Sequence, residues 1–333
     1  MTAADADADH EPILDAVATV AADVPAELPR LRGHRGAATA TAAVAGDDGQ
    51  ATDERNPTGD DQSAADRWLD DRFREALAPL EAVGAYASEE RADVLDCGRG
   101  GGDEGGYGVA IDPLDGSDNL AANGPIGTVL GIYDAPLPAR GTDLVASAIV
   151  IFGPTVTMTV AADGDVVRYR VDEDEGERTD PRRVSLASER AADGADNGDE
   201  IDGVCGYSGR REDLSPALLG LVDAFRAERR LRYCGAAVAD VVTLLEHGGV
   251  LCYPRTDRRP DGVLRLQYEA NPIAHIVETA GGRAIGDTGT ETDADTEPGR
   301  LRQLDPTALH ERVPVFVGSP EPIARVESSL GSE

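Results

Sequence analysis

The segment of this sequence best suited to chemistry is IDPLDGSDN at residues 111–119, which directly follows the β-rich run YGVAI. The carboxylates of Asp112 and Asp115 are three residues apart, and the bend that the proline and glycine favour can turn both toward one point. Backbone amides beyond Gly116, beginning with that of Ser117, can form a concave site for a phosphate. The alternative interpretation is a β-turn capped by aspartate, but the full DPLDGS combination after a strand is more specific.

Carboxylates beside outward-facing amides are what metal-assisted phosphoryl transfer requires, because the cation and the phosphate must share one site. An all-oxygen ligand set favours Mg²⁺ or Mn²⁺ over zinc. The five histidines show no ligand spacing, and we expect His247 and His275 on helix surfaces. The four cysteines form no CxxC pair, so neither a zinc site nor a compact disulfide framework is predicted.

Composition excludes several classes of function. The 333 residues include 63 acidic and 31 basic side chains, which gives a formal charge of −32; no lysine is present, so every basic residue is arginine. Such acidity argues against nucleic-acid and anionic-membrane partners, and the missing amine removes Schiff-base and Walker-type phosphate chemistry. Disorder is the competing interpretation of high charge with 4% aromatic residues, but the 41% hydrophobic content and long periodic stretches favour a folded chain.

The same charge suggests a habitat and a location. Self-repulsion on this scale is relieved at molar salt, where the screening length falls to roughly 3 Å, so the composition is typical of a salt-accumulating halophile such as a haloarchaeon. The first residues lack a basic and apolar signal segment, and no apolar run approaches about 18 residues. We therefore expect a soluble cytoplasmic protein with reduced thiols.

Hydrophobic periodicity predicts the elements that must position this segment. Short β-rich runs from 107 to 160 predict neighbouring strands of one sheet, and acidic tracts near 172–202 interrupt the pattern. VLRLQYEA at 263–270 is predicted to be a strand. Helical spacing predicts helices over 12–32, 63–83, 212–228, 237–247, 272–280 and onward from 321. The expected fold is a layered α/β protein with two domains, residues 1–185 and 186–333.

At these motifs the sequence resembles the class I fructose-1,6-bisphosphatases, within the Mg²⁺-dependent sugar and inositol phosphatase superfamily. The resemblance also includes GDDQ (59–62) with Asp66, SEE (88–90), GTVLGIYD (127–134), the long stretch 232–282, and HERVPVFVGSP (310–320). It implies a two-domain α-β-α-β-α sandwich. The implied activity is hydrolysis of the 1-phosphate of fructose 1,6-bisphosphate in gluconeogenesis, with two or three Mg²⁺ per subunit, Mn²⁺ as an alternative ion, and no covalent intermediate.

The resemblance also implies a role for individual residues. The metal ligands would be Glu89, Asp112, the Leu114 carbonyl, Asp115 and Glu269. The groups that orient and deprotonate the attacking water would be Asp61, Asp66 and Glu90. The 1-phosphate would be bound by the amides of Gly116 and Ser117, and the far phosphate by Tyr207, Arg232, Tyr233 and Tyr253, with Arg265 at a further active-site position. Because the family's counterpart of Arg232 reaches in from a neighbouring subunit, a homo-oligomer, dimer or tetramer, is expected.

Several positions depart from the family pattern. Val263 replaces a lysine of the sugar pocket and Arg258 replaces another, which leaves the substrate open to alternatives. Sedoheptulose 1,7-bisphosphate and inositol or another polyol monophosphate are alternatives within the same chemistry. A non-catalytic sugar-phosphate-binding protein is the alternative from another class, although such a protein would be expected to lose its metal-binding carboxylates. Gly106 and Asp134 stand where the AMP site of the animal enzymes has cations, so we expect no inhibition by AMP.

Overall fold

Two large β-sheets, a two-stranded sheet and six α-helices organise the chain in the computed structural model, which describes residues 10–31, 55–59, 62–98, 106–186, 203–286 and 299–330. Within these ranges the helices are α1 (Glu11–Leu31), α2 (Ala64–Leu77), α3 (Pro216–Glu228), α4 (Ala237–His247), α5 (Asn271–Thr279) and α6 (Pro320–Leu330). The strands are β1 (Val83–Ser88), β2 (Leu95–Asp96), β3 (Tyr107–Asp115), β4 (Gly127–Tyr133), β5 (Leu144–Phe152), β6 (Val156–Ala162), β7 (Asp165–Val171), β8 (Arg178–Arg183), β9 (Val204–Tyr207), β10 (Arg230–Leu231), β11 (Gly249–Tyr253), β12 (Leu264–Arg265), β13 (Arg283–Gly286), β14 (Arg312–Val313) and β15 (Val315–Gly318).

The larger sheet has eight strands in the order β2-β1-β3-β4-β5-β6-β7-β8. Strands β1 and β3 are parallel, and every other neighbouring pair in this sheet is antiparallel. Strand β4 is buried at every position, as expected for an apolar run covered on both faces. The smaller sheet has the order β10-β9-β11-β15-β13, and β12 pairs separately with β14.

Helices cover both faces of both sheets and produce five layers. One hydrophobic core joins α1 and α2 to the first face of the eight-stranded sheet. A second core joins the other face to α4 and α5, which also pack on the five-stranded sheet. A third core joins that sheet's far face to α3 and α6. The predicted α-β-α-β-α sandwich is confirmed, and α5 is buried at every residue from 271 to 277 because it lies between two sheets.

The chain passes between the two sheets once. Every strand of the eight-stranded sheet ends by residue 183 and every strand of the five-stranded sheet begins at or after residue 204. Most of the crossing, 187–202, lies outside the described residues. The proposed domain division at residues 185 and 186 falls between these two sets of strands.

Three expectations were wrong. VLRLQYEA is not a continuous strand, because pairing stops after Arg265 and the chain turns into a short π-helix, Leu266–Ala270. The helix predicted over 63–83 ends at Leu77, and Val83 begins a strand instead. His275 is not on a helix surface: it is buried between layers with its Nδ1 2.9 Å from the Ser147 hydroxyl, and burial lowers its pKa to about 3. His247 is exposed as expected, the four cysteines are free, and no described helix is long and apolar enough to cross a membrane.

Candidate active site

A β-bulge at the end of β3 places two carboxylates on one side of the sheet. Asp112 pairs with Val129 on β4 but Asp115 pairs with Gly127, so three steps along β3 match two along its partner. In a regular strand, residues three apart point to opposite faces, and one extra residue restores the same face. The Asp112 carboxylate accepts a hydrogen bond from the Leu114 amide (3.0 Å), which stabilises the bend. The bend expected from the proline and glycine is therefore present as a bulge.

Two further acids reach the same edge through the parallel pairing of β1 with β3. Ser88 is the register partner of Ile111, and the Glu89 amide donates to the Ile111 carbonyl (3.1 Å). The carboxyl ends of parallel neighbours lie at the same edge of a sheet, so Glu89 and Glu90 emerge beside Asp112. Glu89 is buried and Glu90 is half-buried.

Glu269 joins this cluster from the π-helix Leu266–Ala270. One carboxylate oxygen from each of Asp112, Asp115 and Glu269 lies within 4.8 Å of the other two. Among the described residues, these three side chains form a group that could hold a metal ion. A π-turn inserts one residue into a helical turn and is frequent at functional sites. The carboxylate set and its burial fit a hard divalent cation.

Burial and mutual repulsion make this cluster costly to ionise without a cation. Burial, followed by the charges of Glu89, Glu269 and Asp115, raises the pKa of Asp112 well above its usual value. Burial and the Glu269 charge raise the pKa of Asp115 to about 7. The cluster is therefore suited to binding positive charge.

The described structure supplies one internal cation to this cluster, Arg265. Its guanidinium Nη2 lies 2.5 Å from Glu89 Oε1, and Nη1 lies 3.5 Å from Glu269 Oε2. Its backbone amide donates to Glu269 Oε2 (2.6 Å) and Nη2 donates to the Thr58 hydroxyl (2.8 Å). Arg265 thus partly neutralises Glu89 and Glu269 through direct ion pairs, and its charge also lowers the pKa values of Asp112 and Asp115, although burial outweighs that effect.

Glu90 has the environment of a proton acceptor. Burial, with the charge of Asp66, raises the pKa of Glu90 to about 7, and the Gln62 side-chain amide donates to Glu90 Oε2. Asp66 is buried and forms a capping box at the start of α2, in which its carboxylate accepts from the Ser63 amide (2.6 Å). A pKa near neutrality is what a general base needs. Asp61, the third acid predicted for this role, lies outside the described residues.

A hydrogen-bonded histidine connects the two segments that carry Glu90 and Glu269. His310 Nε2 lies 3.0 Å from the carbonyl of Arg91, and Nδ1 lies 2.9 Å from the hydroxyl of Tyr268. Burial lowers the pKa of His310, which favours the neutral ring. Because a carbonyl only accepts, Nε2 donates to it and Nδ1 accepts from the hydroxyl. This bridge fixes the distance between the two acidic segments.

The turn after Asp115 lies against the start of α4. Gly116 has a φ of +79°, and a Cβ at this residue would lie 2.5 Å from Ala236 Cβ. The Val238 amide in the first turn of α4 donates to Asp115 Oδ2 (2.8 Å). A short 3₁₀ helix, Ser117–Ala122, follows directly. Only glycine fits this left-handed, crowded position. The turn at Gly116 brings the first residues of the 3₁₀ helix and of α4 beside the acidic cluster.

One cavity of about 870 Å³ contains most of the predicted site. Of the predicted residues, its lining includes Asp66, Glu89, Glu90, Asp112, Leu114, Asp115, Gly116, Ser117, Tyr233, Tyr253, Arg265 and Glu269. Tyr207 and Arg232 do not line it: Tyr207 packs against the third core, and Arg232 is exposed with Nη1 bound to the Leu231 carbonyl (3.0 Å). The structure thus gathers twelve predicted residues around one space and leaves these two outside it.

Comparison with known proteins identifies the family. Residues 37–180 match the family described as fructose-1-6-bisphosphatase, N-terminal domain, and residues 208–331 match the corresponding C-terminal domain. Together these matches cover well over half of the chain. The chain belongs to the fructose-1,6-bisphosphatase family.

Individual relatives agree with this membership. A Halobacterium salinarum protein named fructose-1,6-bisphosphatase class 1 is 42% identical over 318 residues, which covers 96% of each chain. A Natronomonas pharaonis protein of the same name is 41% identical over 83% of this chain and 89% of its own. The crystal structure of Leishmania major fructose-1,6-bisphosphatase in holo form matches with a TM-score of 0.77 at 25% identity, over 97% of this chain and 94% of the other.

The cavity is also lined by residues that the sequence analysis did not predict. Arg55 and Asn56 line it, and Asn56 Nδ2 lies 3.4 Å from Glu89 Oε1. Ser208, Arg210 and Arg259 line the wall formed by the five-stranded sheet. Lone serines and arginines carry no spacing signal, and only the fold brings these loops together.

Proposed function

We propose that this chain hydrolyses the 1-phosphate of fructose 1,6-bisphosphate to give fructose 6-phosphate, with Mg²⁺ as its cofactor and Mn²⁺ as an alternative ion. The observation that carries the proposal is a carboxylate triad in the cavity, beside the left-handed turn at Gly116. In this triad Asp112 and Glu269 are buried and Asp115 is half-buried. The names of the Halobacterium and Natronomonas relatives support this substrate.

The carboxylates would hold the cations. Asp112, Asp115 and Glu269 form the core of the ligand set, and Glu89 and the Leu114 carbonyl complete it. Bound Mg²⁺ would supply neutralisation of the charge that develops on the phosphoryl oxygens. Glu89, which is paired with Arg265 in this structure, would exchange that cation for the metal when it serves as a ligand.

Glu90 would take the proton of the attacking water, and Asp66 and Asp61 would orient that water. A raised pKa makes the Glu90 carboxylate basic enough to accept a proton near neutral pH. Asp66 is held by the start of α2, so its carboxylate has a fixed position relative to Glu90. The amides of Gly116 and Ser117 would bind the 1-phosphate.

Tyr233 and Tyr253 would line the sugar end of the cavity, where their rings lie 6.3 Å apart. Roles for Tyr207 and Arg232 stay predictions, as does the homo-oligomer in which Arg232 would serve a neighbouring subunit. The cytoplasmic location, the place in gluconeogenesis and the salt adaptation also stay predictions from the sequence. The charge of −32 supports the last of these.

The proposal is tested by phosphate release in molar KCl with Mg²⁺, from fructose 1,6-bisphosphate, sedoheptulose 1,7-bisphosphate and inositol monophosphate in parallel. We expect fructose 1,6-bisphosphate to have the highest kcat/KM and Asp115→Asn to abolish its turnover. The matched control is Asp163→Asn, at an exposed turn between β6 and β7, which should leave turnover unchanged. No release from any substrate would contradict the enzymatic proposal, and preference for another substrate would correct the specificity.

A further inference from the structure

Thr128 places a hydroxyl on an otherwise apolar face of strand β4. Its side chain is fully buried, and Leu130 and Ile132, which follow at two-residue spacing on the same face, belong to the core against α1 and α2. A buried hydroxyl costs free energy unless it forms a hydrogen bond, and a valine would fill the same space without that cost. A threonine at this position therefore indicates a specific hydrogen-bond partner.

That partner is a carbonyl inside the β-bulge that carries the acidic cluster. The Thr128 hydroxyl donates to the Pro113 carbonyl at 2.8 Å, across 15 positions of sequence. On β4, Thr128 is the residue between the register partners of Asp112 and Asp115, so it lies opposite the extra residue of the bulge. The side chain thus supplies a hydrogen bond at the step where the regular pairing of the two strands is interrupted.

Strand β4 is a fixed base for this hydrogen bond. It pairs with β3 on one side and with β5 on the other, where Thr128 is the register partner of Val150. A Cβ at Gly127 would collide with the Val150 carbonyl oxygen, so the backbones of β4 and β5 approach closely beside Thr128. The hydroxyl therefore ties the bulge to the middle of the eight-stranded sheet.

Two neighbouring hydrogen bonds hold the carboxylates of the same short segment. The Leu114 amide donates to Asp112 Oδ1 (3.0 Å), and the Val238 amide donates to Asp115 Oδ2 (2.8 Å). Both of these bonds fix side chains, whereas the bond from Thr128 fixes the main chain of the bulge. The three bonds therefore have different roles, and the third acts on the direction of the backbone carbonyls.

The direction of the Leu114 carbonyl follows from that of Pro113. Successive carbonyls of an extended strand point toward opposite neighbouring strands, and β3 lies between β4 and β1. Because the Thr128 hydroxyl binds the Pro113 carbonyl on the β4 side, we expect the Leu114 carbonyl on the β1 side. Glu89 emerges there directly after β1, and both Leu114 and Glu89 line the cavity.

We propose that Thr128 is a positioning residue for metal binding, which directs the Leu114 carbonyl to the cation by fixing the Pro113 carbonyl beside it. The proposal rests on the proposed function, because that function assigns a divalent cation to these groups. Thr128 itself does not line the cavity, so its effect passes through the main chain of the bulge. Groups that orient a metal ligand in this way change the metal affinity of a site without contacting the ion.

Binding of Mn²⁺ to the substrate-free protein in molar KCl, followed by the EPR signal of the free ion, tests this role. Thr128→Val removes the hydroxyl and should weaken Mn²⁺ binding by about tenfold to a hundredfold. Thr128→Ser should recover most of the affinity, and Thr128→Cys, with a weaker donor, should lie between the two. The matched control is Thr159→Val on β6, where another buried threonine hydroxyl accepts from Arg168 Nε (3.2 Å). It should lose stability and keep wild-type Mn²⁺ affinity.

Steady-state kinetics give a second readout. In Thr128→Val the Mg²⁺ concentration for half-maximal hydrolysis of fructose 1,6-bisphosphate should rise by the same factor, whereas kcat at saturating Mg²⁺ should be largely retained because Glu90 is unchanged. Wild-type Mn²⁺ affinity in Thr128→Val and Thr128→Cys, or an equal loss in Thr128→Ser, would overturn the positioning role and leave the hydrolase intact. If Mn²⁺ binding depends on Thr128 as predicted but wild-type protein releases no phosphate, the proposed function is overturned instead.

Discussion

Binding of Mg²⁺ should stabilise this protein by an amount that increases with pH, because the carboxylates that hold the ion carry protons at mildly acidic pH. In the metal-free protein the pKa of Asp115 is about 7, against an ordinary value of 3.8. The folded state therefore binds more protons than the unfolded state between these two values. By linkage, the stability of the metal-free protein falls as pH rises through this window, and bound Mg²⁺ offsets the loss.

The magnitude follows from the same pKa. At about pH 5.5 only one Asp115 in about thirty is ionised, so the affinity for Mg²⁺ should be about thirtyfold lower than at about pH 8.5. With excess Mg²⁺ this factor corresponds to about 2 kcal/mol less stabilisation. For a chain of this length the loss is roughly 3 °C in the Mg²⁺-induced shift of Tm. The raised pKa of Asp112 makes the dependence steeper rather than shallower.

Thermal unfolding in molar KCl measures this effect, with Mg²⁺ or a chelator present at each pH. The Tm shift between the two conditions should increase from acidic to alkaline pH in wild type. It should be nearly absent at every pH in Asp115→Asn and unchanged in the control Asp163→Asn. A Tm shift that is independent of pH, or one that survives in Asp115→Asn, would refute the reasoning.

Three further predictions concern the residues around this cluster. Glu90→Gln should lower kcat by about a hundredfold and remove the rise of kcat through about pH 7, measured as a pH profile. Arg265→Met should lower the free energy of unfolding of the Mg²⁺-free protein by about 3–5 kcal/mol, measured with denaturant, because Glu89 and Glu269 lose a buried partner. Added Mg²⁺ should recover much of this loss. His310→Ala should cost about 2 kcal/mol of stability and weaken Mg²⁺ binding, with partial rescue by His310→Gln, as read from Mg²⁺ titrations of activity.

Each of these has a result that contradicts it. If the pH profile of kcat is unchanged in Glu90→Gln, a group other than Glu90 accepts the proton of the attacking water. Equal destabilisation of Arg265→Met with and without Mg²⁺ would mean that the arginine and the ion do not share ligands. A His310→Ala protein that is less stable but binds Mg²⁺ normally would limit the histidine to a structural role.

The sequence predicted the bend that carries Asp112 and Asp115 because its cause is local. A proline and a glycine fall at fixed positions after an apolar strand, and these residues restrict the backbone wherever they occur. The long amphipathic helices were predicted for the same reason, since periodicity is a property of a short window. The layered fold followed from the order of these patterns along the chain.

The parts that could not be predicted depend on residues far apart in sequence. The π-helix at Leu266–Ala270 has the β-rich composition of a strand, and its contacts with β3 and β4 decide its conformation. The ion pair between Arg265 and Glu89 joins the end of β12 to the residue that follows β1, 176 positions away in sequence. Ser208 and Arg259 line one cavity because β9 and β11 are neighbours. Strand β1, VGAYAS, is short and rich in small residues, so its pattern is weak.

The central claim is that the buried carboxylates bind a divalent cation to remove the 1-phosphate of a sugar bisphosphate. It is tested most directly by following fructose 1,6-bisphosphate by phosphorus NMR in molar KCl, with Mg²⁺, with a chelator, and with Asp115→Asn. We predict that the 1-phosphate signal is replaced by inorganic phosphate while the 6-phosphate signal persists, and only when wild-type protein and Mg²⁺ are both present. Turnover that continues in the chelator or in Asp115→Asn, or loss of the 6-phosphate instead, would contradict the account.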